Sequence, residues 1–183
     1  RSLVQGIWKG SGYGNHGGTT YERGMVYERQ LIKENKTMSY KRLIPCIFIY
    51  KGKAIKWFDD KEVISDDVIG LAKQYCDKGA DELIVFDLSN TDDEHDEAID
   101  LMKKVNRAIS IPMVAGGNVR RQEDVKKILY TGAKRAILNF SKPLSFELIE
   151  EVSKRFGKER IAVSLNDFDA LFKQQHLIDK FSS

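Results

Sequence analysis

Gly116 and Gly117 stand side by side between a short apolar run, entered through Pro112, and a stretch in which Val125, Ile128 and Leu129 recur at helical spacing. Without Cβ atoms they let the backbone turn sharply and come close to a bound group, just before a helix whose free N–H groups and positive dipole end favour an anion. That chemistry is a phosphate seat. The same two glycines also serve an ordinary strand-to-helix turn, and from their types alone both readings stand.

Asp87 is the second candidate. It lies near the C-terminal end of the apolar run Glu82–Leu88, the end at which parallel α/β sheets place their chemistry, although a carboxylate there can equally be a paired structural group. His16 sits in a glycine-rich stretch without a second ligand nearby, and Cys46 and Cys76 are too few and too far apart for a disulfide framework or a zinc site. Both cysteines lie in apolar contexts that suit buried thiols. No metal or cofactor is expected.

These residues must be held by regular elements. Ile111–Asn139 reads as strand, glycine turn, helix and strand, a single βαβ unit. Around it, apolar runs at Leu43–Tyr50, Glu82–Leu88 and Arg160–Leu165 read as buried strands, the first carrying a hairpin through Lys51-Gly52-Lys53 into AIKWF. Helices are expected from a cap at Ser65 or Asp66 to about Lys78, over Asp92–Arg107, from Phe146 to Phe156 with Ser145 as the cap, and over Phe168–Phe181. GADELIVF and GAKRAILN, 53 residues apart, repeat the step from helix end to buried strand. Such alternation requires right-handed crossovers and a parallel sheet, either open or part of a (β/α) barrel. Five strands are too few to close one, since a complete barrel takes roughly 250 residues.

The chain has 183 residues, 42% hydrophobic and 31% charged, which allows one domain with a sizeable core, or one domain plus a tail. Its net charge of +3 comes from well-mixed charges without a basic block, so no nucleic-acid partner is expected. No window approaches a membrane span and no signal-like series opens the chain, so a cytoplasmic location and no membrane partner are the default. Residues 1–37 hold seven of the fourteen glycines and show no sustained period; they stay an unassigned segment, linker or upstream sequence, expected to pack little. Met38 opens a passage that reads like a protein start.

The segments KRLIPC (41–46), GKAIKW (52–57), DELIVFD (81–87), IPMVAGGNV (111–119), ILN (137–139) and FGKERIAVSL (156–165) together resemble the HisA/HisF family of histidine-biosynthesis (β/α) barrels, most of all its HisF cyclase branch. The resemblance implies that residues 38–183 are a half-barrel of the α/β class: a partial TIM-type barrel of about five βα units with a parallel sheet. It implies a phosphate site at Gly116, Gly117, Asn118 and Asn139, with Ser141 displaced one step by Phe140, and substrate contacts at Lys56 and Asp87. It implies a phosphoribosyl ligand, lyase/cyclase chemistry, and ammonia supplied by a glutaminase subunit. The two family acid positions, however, read Phe48 and Asn166, and neither side chain exchanges a proton near neutral pH. Asp167, one residue beyond, faces the other way if the strand continues. The expectation is therefore a HisF-like domain with its acids replaced, and the alternative is a non-catalytic phosphate-binding or structural domain of a larger histidine-pathway protein, such as a fusion with a phosphoribosyl-AMP cyclohydrolase.

Overall fold

The computed structural model describes residues 41–139 and 145–164, without the side chains of Ser145 and Phe146. Residues 1–37, Phe140, Ser141, Asn166, Asp167 and the helix expected over Phe168–Phe181 lie outside the described residues. The compact unit that contains the strands begins at Arg42.

Seven strands form one sheet: β1 (Cys46–Tyr50), β2 (Lys53–Ile55), β3 (Val63–Ser65), β4 (Leu83–Asp87), β5 (Met113–Gly116), β6 (Arg135–Asn139) and β7 (Ile161–Ser164). Their order across the sheet is β3-β2-β1-β4-β5-β6-β7. From β1 to β7 every pairing is parallel, and β2 and β3 add an antiparallel edge. The helices are α1 (Val68–Asp77), α2 (Asp92–Ala108), α3 (Gln122–Tyr130) and α4 (Ser145–Phe156), with a 3₁₀ turn at Lys158–Arg160 before β7. The class is α/β, and the open parallel sheet is the first arc of a (β/α) barrel, as the strand and helix order led one to expect.

Alternation along the strands separates two faces. Ile47 and Ile49, Leu83 and Val85, Met113 and Ala115, and Ala136 and Leu138 share one core with Val68, Met102, Val105, Ile128 and Val152 of the helices. Burying such aliphatic side chains contributes about 1.5–3 kcal/mol each, which makes this layer the main source of stability. On the opposite face, Phe48 and Phe86 pair in register on β1 and β4, and their rings stack 5.9 Å apart at 9°. Trp57 and Phe58, just after β2, close over Phe48 edge-on at 5.2 and 4.6 Å.

Caps set where the helices start. Thr91 accepts the Glu94 N–H while the Glu94 carboxylate takes the Asn90 N–H, and the three acidic residues that open α2 match its dipole. Asp124 reaches back to accept the N–H groups of both Arg120 and Arg121 ahead of α3. At the other end of the sheet, the buried Glu82 is held between Arg42 Nη2 at 3.0 Å and Arg135 Nη2 at 2.7 Å.

Several expectations need correction. The cap of α1 is Asp67, whose Oδ1 accepts the Gly70 N–H at 2.8 Å, whereas Ser65 ends an additional strand. Leu43 and Ile44 are exposed and precede β1, with the Leu43 N–H and carbonyl both bonded to Asp81. Neither cysteine is fully buried: Cys46 and Cys76 are both half-buried, and Cys76 Sγ lies 3.3 Å from Ser110 Oγ.

The two thiols consequently differ in reactivity. Hydrogen bonding to Ser110 lowers the Cys76 thiol, whereas burial pushes Cys46 up to about 12. Because the thiolate is the nucleophile, iodoacetamide at pH 8 is expected to alkylate the folded chain once, at Cys76, with Cys46 reacting only after denaturation. Peptide mapping checks this. The sign for stability follows: above the ordinary value of 9.0 the unfolded chain loses the Cys46 proton and the folded chain keeps it, so the Cys46 contribution falls as pH rises from 9.0 towards about 12.

Candidate functional site

The C-terminal ends of β4, β5 and β6 bring Asp87, Gly117, Asn118 and Asn139 into the wall of one cavity of about 400 Å³. Phe58, Lys61 and Phe86 complete much of the rest. Four of the residues singled out in the sequence are thus gathered at one place, and the two classes of group, backbone turn and amide side chains, are those that hold phosphate oxygens.

The turn is tightly specified. Gly117 has φ +95°, and a Cβ there would overlap the backbone of Asp87, so the glycine serves a close approach between the β4 and β5 loops. Gly116 is buried as the last residue of β5, where a Cβ would meet Ile137 Cβ at 2.7 Å. It supports the turn without lining the cavity. Asn118 has φ +54°, and its Nδ2 donates to the carbonyl and Oγ of Ser89, both at 2.6 Å.

Asp87 belongs to a buried polar chain. Its Oδ1 accepts the Ser89 N–H at 2.8 Å, and its Oδ2 lies 2.9 Å from the donating Ser89 Oγ and 2.6 Å from His95 Nδ1. Since Asn118 already donates to Ser89 Oγ, the hydroxyl proton is directed to Asp87, and the imidazole proton sits on Nδ1 to serve the same carboxylate. Asp87 is therefore both a wall of the cavity and a paired structural carboxylate.

Lys56 is not among the residues lining the cavity. It is fully exposed, paired to Asp60 at 3.0 Å and Glu62 at 2.9 Å, and these carboxylates, Glu62 foremost, raise its ammonium above the usual range. Lys61 lines the cavity instead, its Nζ 3.9 Å over the Tyr50 ring. Sequence reasoning missed Lys61, Phe58 and His95. For His95 a signal existed: a carboxylate at a strand end followed eight residues later by a histidine in the first turns of a helix. Phe48, on β1, is 5% exposed and surrounded by Trp57, Phe58 and Phe86.

Among the described residues no group of His, Cys, Asp or Glu is arranged to hold a metal ion, and no helix is long and apolar enough to cross a membrane.

A parallel arc with its helices packed on one face and a polar cavity at the C-terminal strand ends defines a (β/α)-barrel protein. Residues 42–178 match the model of the family described as histidine biosynthesis protein. The chain is similar to imidazole glycerol phosphate synthase subunit HisF of Flavobacterium psychrophilum, 35% identical over 132 residues, which is 70% of this chain and 52% of that one. The same subunit of Exiguobacterium sibiricum is 33% identical over 131 residues, 70% and 52% of the two chains, and that of Methanococcus maripaludis 34% over 130 residues, 70% and 48%. The chain belongs to the histidine biosynthesis protein family of (β/α) barrels, as the resemblance of its six segments led one to expect. It spans about half the length of the curated relatives it matches.

Proposed function

We propose that this chain is a HisF-like domain that binds a phosphoribosyl-type ligand in the cavity at the ends of β4, β5 and β6, and that it does not itself carry out acid/base chemistry. The phosphate rests on the Gly116–Gly117 turn, Asn118 and Asn139, with Ser141 a further candidate donor, and the remainder of the ligand lies towards Asp87 and Lys61. Lys56 is left to hold the hairpin through Asp60 and Glu62. The observation that carries the reading is Phe48. At the position that corresponds to the family's strand-one acid, an aromatic side chain is packed among three other rings, while Gly117, Asn118 and Asn139 of the phosphate seat line one cavity.

The domain then acts as a binding or structural part of histidine biosynthesis in the cytoplasm. It works with a glutaminase subunit or with the remainder of a fused chain, such as a phosphoribosyl-AMP cyclohydrolase. The relatives named above are themselves described as subunits, which supports a partner.

The test is a turnover assay with purified chain, the family's phosphoribosyl-imidazole precursor and free ammonia. Positioned acid/base groups contribute roughly 10²- to 10⁴-fold each, so replacing both by Phe48 and Asn166 is expected to leave turnover at or near background. Turnover close to that of an intact family enzyme would refute the reading and direct attention to Asp87 and Asp167.

A further inference from the structure

A second cavity, of about 240 Å³, opens between the N-terminal turns of α2 and α3 and is lined by Asp92, His95, Asn118, Arg120, Arg121, Asp124 and Lys127. It shares only Asn118 with the cavity described above. We propose that it is a separate oxyanion site, taking a phosphate-sized anion between the Arg120 guanidinium and the Nε2 edge of His95.

His95 carries the inference. Its side chain is 8% exposed, and Nδ1 is taken by Asp87 at 2.6 Å. Asp87 lines the other cavity, whereas His95 is among the residues that line this one. Nε2 is buried and has no hydrogen-bond partner among the described residues. A buried polar atom without a partner is a standing cost that a ligand removes. A phosphate suits either state of the ring: its P–OH donates to a neutral Nε2, and its P–O⁻ accepts from a protonated one.

The surrounding charges favour an anion once committed groups are set aside. Asp124 is spent on the N–H groups of Arg120 and Arg121 and on Arg121 Nε at 3.5 Å, and Lys127 is paired with Asp96 at 2.6 Å. Arg120 has only a 3.4 Å contact with the Asn118 carbonyl oxygen. It is exposed and able to turn onto a ligand. Two helices of 17 and 9 residues start at this cavity, and both dipoles favour negative charge there. Asp92 is the opposing carboxylate, and it sets the strength of binding.

The experiment titrates the full chain with inorganic phosphate while following the His95 ring and the backbone amides by NMR. Saturable movement of the His95 ring is expected at millimolar phosphate, with a midpoint distinct from that of the Gly117 and Asn139 amides. Arg120→Ala, at an exposed position that leaves Asp87 paired, is expected to weaken the His95 response about tenfold. Asp92→Asn is expected to strengthen it about two- to threefold. A His95 ring that does not respond, or that responds identically in Arg120→Ala, would overturn the proposal. Movement confined to Gly117 and Asn139 would also overturn it, while leaving the ligand site at the sheet ends intact.

Discussion

Asp87→Ala is expected to lower the unfolding free energy by about 3–5 kcal/mol, a large share of the roughly 5–15 kcal/mol that holds a domain together. The substitution strands three donors at once: the Ser89 N–H, the Ser89 hydroxyl and His95 Nδ1. Ser89 and His95 are both buried, so water does not readily replace the lost acceptor. Asp87→Asn, which keeps the volume but presents an amide to donors on both sides, is expected to cost less. Urea denaturation at an unchanged slope measures both variants, and an alanine variant as stable as the parent would mean that the chain from Asn118 through Ser89 to His95 does not hold the strand ends together.

Gly117→Ala is expected to cost about 2–6 kcal/mol. Two penalties add: an L-residue at φ +95° is strained by about 1–3 kcal/mol, and its Cβ overlaps the Asp87 backbone, which overpacks the contact between the β4 and β5 loops at a similar cost. Asn118, next in the chain at φ +54°, is tied to Ser89 by two hydrogen bonds, so the turn has little freedom to relax. The same denaturation measurement checks it. A cost below about 1 kcal/mol would show that the turn can give way.

The parallel arc was readable because its strands are continuous apolar runs and each following helix announces its start and its stripe. The first hairpin followed from Lys51-Gly52-Lys53, the place of Asp87 and Gly117 at strand ends from the order of the elements, and the grouping of Asn118 and Asn139 with the glycine turn from the family resemblance. What stayed hidden depended on the third dimension. β3 was missed because Val63 and Ile64 are both exposed on an edge strand among acidic residues, so no alternation marks them. Leu43 and Ile44 look like strand core but stand outside the sheet. His95 sits in a helix opening rich in acids, and its burial is decided by Asp87 across a turn. Lys61 enters the cavity by folding over Tyr50, which its neighbours in sequence do not signal.

The central claim is that a phosphoribosyl ligand is held at the glycine turn although the acids are replaced. The measurement that tests it most directly is a titration of the chain with ribose 5-phosphate, with ribose as the control, followed through the backbone amides. The account predicts saturable shifts at Gly117, Asn118 and Asn139 at millimolar ribose 5-phosphate and none with ribose. Amides at these three positions that stay unmoved at about 10 mM ribose 5-phosphate, or that respond equally to ribose, would contradict it.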